Sequence, residues 1–74
     1  MDELSTSEKL INQWNDELTI FKRLSIDLRE LHRMASVFLD HRATEVPAIE
    51  VVQGYVAAMI ESTEMAISEE RELL

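Results

Sequence analysis

Leu10, Trp14, Phe21, Leu24, Leu28, Leu31, Ala35 and Phe38 recur along the first half of the chain at spacings of four and three, and Glu17 is the one polar residue in the series. A seam of that period, sustained over several repeats, predicts a long amphipathic helix that packs on another helix. Ile11, Leu18 and Leu39 widen the seam. No glycine or proline occurs between Ser5 and His41, so nothing in that stretch breaks the pattern. Ser5 followed by Glu8 has the form of a capping box, in which two side chains satisfy backbone donors at a helix start. The first helix is predicted from about residue 6 to about residue 41.

The pattern stops at HRATEVPA, residues 41–48. The residue before a proline is pushed away from helical dihedrals, and proline itself suits the first helical position. A turn at about 42–46 and a second helix from Pro47 to about residue 72 follow. Ile49, Val52, Val56, Met59, Thr63 and Ala66 form the seam of that helix, again at spacings of three and four. Helices joined by so short a linker pack as antiparallel neighbours. The expected fold is all-α, one domain over residues 1–74, an antiparallel two-helix hairpin with a long first helix and a shorter second one. Gly54, inside the second helix, costs about 1 kcal/mol relative to alanine; close approach of another backbone would be a reason for it.

The second helix has a further apolar row beside its first. Val51, Tyr55, Ala58, Ser62 and Met65 share a face, while Glu50, Glu61 and Glu64 occupy the remainder. Ile26 and Val37 on the first helix lie nearly opposite its main seam. A hairpin has one interior, so the second row predicts self-association, with two hairpins forming a four-helix bundle. Helix lengths add an expectation. With the turn centred near residues 44–45, Leu10, Ile11 and Trp14 overhang the end of the second helix. They are then to be covered by a second protomer, by a break that folds the first helix back, or by a foreign partner, for which these three are the candidate docking residues.

Composition narrows the function classes. The chain has 74 residues, no cysteine, one glycine and one proline. A chain this short has little core of its own, and without cysteine neither disulfides nor thiolate metal sites support it. No apolar run approaches the roughly 18 residues of a membrane span, and the acidic start is unlike a secretory or transit signal; a cytoplasmic location is expected. The net charge of −8 opposes bulk attraction to nucleic acid or anionic lipid. Its placement is uneven: residues 1–42 carry eight acids and six bases, and residues 43–74 carry seven acids and only Arg71 as a base.

Candidate chemistry is sparse. His32 stands two residues after Glu30 and five after Asp27, spacings that do not share a helix face as metal ligands must. His41 reads as a residue near a helix C-terminus, where a cation is favoured. Glu61 and Glu64 form one acidic pair of the kind that holds Mg²⁺ in helical enzymes, but no second pair faces it at a matching level. Catalytic, metal and cofactor-binding residues are therefore assigned to none, and no small-molecule substrate is evident. Lys22, Arg29 and Arg33 form a basic strip on the outer side of the first helix, with Ile26 between them. The expected architecture is similar to that of plasmid copy-number regulators of the Rop type, small acidic helical hairpins that dimerise and bind RNA. The similarity is of architecture, without a shared motif, and it implies RNA binding through Lys22, Arg29 and Arg33 as the alternative function. The leading expectation is a non-enzymatic homodimer that binds another protein, as an adaptor, co-chaperone or regulator; a small helical enzyme or metal-binding protein is the third reading.

Overall fold

The computed structural model describes residues 5–38 and 45–74, without the side chains of Phe38 and Glu45. Those residues form two helices, α1 (Thr6–Phe38) and α2 (Glu45–Glu72), packed against each other as a hairpin. Leu39, His41 and positions 42–44 of the expected turn lie outside the described residues.

α1 starts as its sequence predicts. The Ser5 hydroxyl accepts a hydrogen bond from the Glu8 backbone N–H at 3.1 Å, and the Ser5 carbonyl accepts from the Lys9 N–H at 3.0 Å. The Ser5 hydroxyl also donates to the Glu8 carboxylate at 3.2 Å, where a full capping box would bring that carboxylate to a backbone N–H. α2 begins two residues before the expected start, at Glu45, with Val46 already helical and Pro47 third in the helix. The first four N–H groups of a helix have no acceptor within it, so the donor that proline lacks is not missed there.

The two helices meet along a seam that differs from the predicted one by a single residue step. On α1 the buried and half-buried row is Ser7, Ile11, Trp14, Leu18, Phe21, Ser25, Leu28, His32 and Ala35. On α2 it is Val46, Ile49, Gln53, Val56, Ile60, Thr63, Ile67 and Glu70. Both keep the spacings of four and three. Trp14, Phe21, Leu28, Ala35, Ile49, Val56 and Thr63 are shared with the prediction. Leu24 and Leu31, expected inside, are 39% and 47% exposed, and Val52 and Met59 are 44% and 40% exposed. Ser25, His32, Gln53 and Ile60 take their places. Among the described residues the buried apolar ones are Ile11, Ala35, Val56 and Ile67, so this interior is thin.

The expected overhang is absent. The Ser7 hydroxyl donates to the Glu70 carboxylate at 2.7 Å, which sets the last turn of α2 beside the first turn of α1. Near the other end, His32 Nε2 lies 3.1 Å from Glu50 Oε1. Helices of 33 and 28 residues differ by only about 8 Å at 1.5 Å per residue. Ile11 is accordingly buried between the helices, and Leu10 and Trp14 are half-buried beside it. The hairpin measures 60 × 20 × 11 Å, with a radius of gyration of 17.0 Å, against about 11 Å for a compact domain of this length.

Candidate interaction surface

Two flanks run along the seam, and they differ in chemistry. One carries Asn15, Lys22, Arg29 and Ser36 from α1 and Glu50, Ala57, Glu64 and Arg71 from α2. Asn15, Glu64 and Arg71 line a groove there together with Leu18, Ile67, Ser68 and Glu72. The other flank is apolar. It carries Ile20, Leu24, Leu31 and Met34 from α1, all exposed, and Val51, Val52, Tyr55, Met59 and Met65 from α2, likewise exposed. Glu17 and Phe21 of α1 share one shallow groove with Tyr55, Ala58, Met59 and Ser62 of α2, which places the two apolar rows on the same side of the hairpin. The antiparallel arrangement requires this, because residues one step beyond the seam in the same sense on each helix meet on one flank.

α2 contributes the larger share of the apolar flank. From Ala48 to Ala66 its outward positions on this side are Ala48, Val51, Val52, Tyr55, Ala58, Met59, Ser62, Met65 and Ala66, without a charge among them. Tyr55 is 69% exposed, and Ala58 and Ser62 are exposed beside it. The five residues assigned to self-association, Val51, Tyr55, Ala58, Ser62 and Met65, thus stand together on the surface of the single chain. α1 is less uniform, since Glu17 and Asp27 interrupt its row.

The trio Leu10, Ile11 and Trp14, assigned to a foreign partner, is not a protruding group. Its members join the seam or its edge, and the geometry that made them a docking site is missing. Lys22, Arg29 and Arg33 are exposed on the polar side of α1. Arg33 is engaged by Glu30 one turn earlier, donating from Nε at 3.2 Å and from Nη2 at 2.5 Å. That hydrogen bond, and secondarily the charge, holds the Glu30 carboxyl below its ordinary range and raises Arg33. Among the described residues Lys22 and Arg29 form no ion pair. Across the flank from this strip stand Glu50 and Glu64 of α2, both exposed.

His32 has a partner that its local sequence does not announce. Its neighbours Asp27 and Glu30 point elsewhere, and the carboxylate beside it is Glu50 on the other helix. The signal was the register, which pairs residues whose numbers add to between 77, as for Ser7 and Glu70, and 82, as for His32 and Glu50. No group of three His, Asp or Glu side chains converges among the described residues, and no helix among them is long and apolar enough to cross a membrane. No protein-family model, curated protein or solved structure matches the chain.

Proposed function

We propose that this chain is a non-catalytic protein-interaction module: a small helical adaptor or regulator that self-associates into a four-helix bundle and presents its outer faces to another protein. The observation that carries the reading is the apolar flank. Ile20, Leu24, Leu31 and Met34 share one side of the hairpin with Val51, Val52, Tyr55, Met59 and Met65, and the single chain leaves all of them exposed. Contiguous patches of that kind on a monomer mark an interface. The accessible surface supports the same reading. It is 5793 Å², about 1,100 Å² more than the roughly 4,700 Å² typical of a folded monomer of 8.6 kDa. In a bundle Leu24, Leu31, Val52 and Met59 become interior, and their omission from the hairpin seam has a reason.

Catalysis finds little support. The grooves lie open between two rods, and general acid–base chemistry needs convergent groups shielded from water. RNA binding is the second reading; the exposed bases Lys22 and Arg29 favour it, while Glu50 and Glu64 on the same flank oppose it.

Light scattering at micromolar concentration tests the assembly. The expected mass is twice 8.6 kDa or more, and a stable monomer would remove the reading. Co-purification from the native host tests the partner: a stoichiometric protein is expected, whereas strongly salt-dependent retention of RNA would transfer the function to the basic strip.

A further inference from the structure

The outward side of α2 carries an apolar row from Val51 to Ala66 with no charged residue in the row itself, bordered by Glu61 and Glu69. We propose, resting on the self-association reading above, that the second copy docks antiparallel with α2 against α2, about a two-fold axis passing between Ala58 and Met59.

Three observations select this arrangement. The first is charge. From Val51 to Ala66, the turns that pair with each other, the apolar row of α2 offers neither an acid nor a base, and Glu61 and Glu69 stand at the border of its groove. Were α1 of the second copy laid there instead, Glu17 and Asp27 would be pressed onto a surface with no cation to receive them. Burying an unpaired carboxylate is strongly unfavourable, whereas the α2 row laid against its copy brings no charge of its own.

The second observation is size. An antiparallel two-fold axis between residues 58 and 59 sets each residue against the one whose number completes a sum of 117. Tyr55 then faces Ser62, Met59 faces Ala58, Val51 faces Ala66, and Val52 faces Met65. Three of the four pairs match a large side chain with a small one, so the side chains interdigitate without a void. All eight residues lie within the apolar row of α2. A self-complementary patch is what a two-fold interface requires, since the same surface serves both copies.

The third observation is exposure: Val51, Val52, Tyr55, Met59 and Met65 are large apolar residues left exposed on this one side of α2. Tyr55, 69% exposed and central to the patch, is the kind of residue that anchors such contacts.

The chain has no cysteine, so introduced thiols report proximity without background. Ala58 is small and exposed on the hairpin, and Ala58→Cys leaves the fold intact. Helices that touch at small residues come within about 8 Å, close enough for a disulfide near the axis. Under mild oxidation Ala58→Cys should become mostly a covalent dimer, while Ala57→Cys, one residue round the helix on the polar flank, stays at least tenfold behind. A mixture of Tyr55→Cys with Ser62→Cys chains should give the mixed dimer. If light scattering shows a dimer but Ala58→Cys cross-links no better than Ala57→Cys, the α2 arrangement is overturned and self-association stands. Preferential cross-linking of Leu24→Cys chains to Ala58→Cys chains overturns it in favour of α1 against α2. A monomer at micromolar concentration overturns both, leaving the patch to a different protein.

Discussion

Gly54 tests how a single side chain position is used. It is helical and exposed, one turn before Ala58 on the outward side of α2, and a Cβ built on it meets no atom within 4 Å. Within the hairpin no backbone approaches it, so close packing does not account for it there. Gly54→Ala should therefore stabilise the chain by up to about 1 kcal/mol through reduced freedom of the unfolded state and better helix propensity. Thermal unfolding followed by circular dichroism reads this as a rise of a few degrees; a fall would place another backbone against Gly54 in the assembly. Gln53, its neighbour, occupies a half-buried seam position. Gln53→Leu exchanges a polar side chain for an apolar one of similar volume and should add about 1 kcal/mol, raising the melting temperature by roughly 4–8 °C for a domain of this size. An unchanged or lowered melting temperature would mean that the Gln53 amide has a partner worth more than the burial.

At the level of the helices, the decisive question is which row joins Trp14, Phe21, Leu28 and Ala35 inside the hairpin. Two rows compete on α1, one holding Leu10, Glu17, Leu24 and Leu31, the other Ile11, Leu18, Ser25 and His32. Either combination gives spacings of four and three, and the first row is apolar at three of its four positions against two of four in the second. Periodicity shows the helix and the shared row, and with them the all-helical hairpin and the capping residue Ser5. It cannot separate an inner face from an outer one when both are apolar. The same holds on α2, where Val52 and Met59 compete with Gln53 and Ile60. Choosing the more apolar row places Leu24, Leu31, Val52 and Met59 inside, whereas the hairpin turns them outward. The second row of α2, Val51 to Met65, is legible because Glu50, Glu61 and Glu64 delimit it. The register is not, because Pro47 marks a turn centred near residues 44–45, whereas the helices pair about an earlier point, Ser7 with Glu70 and His32 with Glu50. Trp14 measures the consequence. Half-buried in the seam, it should cost the hairpin roughly 2 kcal/mol when changed to alanine, less than the 3–5 kcal/mol of a fully buried tryptophan. Helix content and melting temperature of Trp14→Ala would both fall; an unchanged melt would put the indole outside the seam.

For the molecule as a whole, the fold and the proposed association are separable, because the hairpin seam and the apolar flank use different rows. Ala58→Glu adds a charge to the flank without touching the seam. In the proposed dimer that carboxylate has no cation near it and should weaken association by several kcal/mol, while the exposed position of Ala58 leaves the single hairpin helical. Loss of the dimer together with retained helicity is the expected result; a dimer of unchanged strength would show that Ala58 faces water in the assembly. Salt gives the complementary test. Each copy carries a net charge of −8, so two copies repel at long range while the apolar flank attracts at contact. Screening shortens the repulsion from a reach of roughly 30 Å at 0.01 M ionic strength to about 10 Å at 0.1 M, and it leaves apolar burial in place. Self-association should therefore tighten as salt is raised. Binding of nucleic acid through Lys22, Arg29 and Arg33 runs the opposite way, weakening with salt as counterions compete. Sedimentation at a series of salt concentrations, with and without added RNA, distinguishes the two: a dimer that tightens as salt rises is held by the apolar flank, whereas an RNA complex that dissociates as salt rises is held by the basic strip.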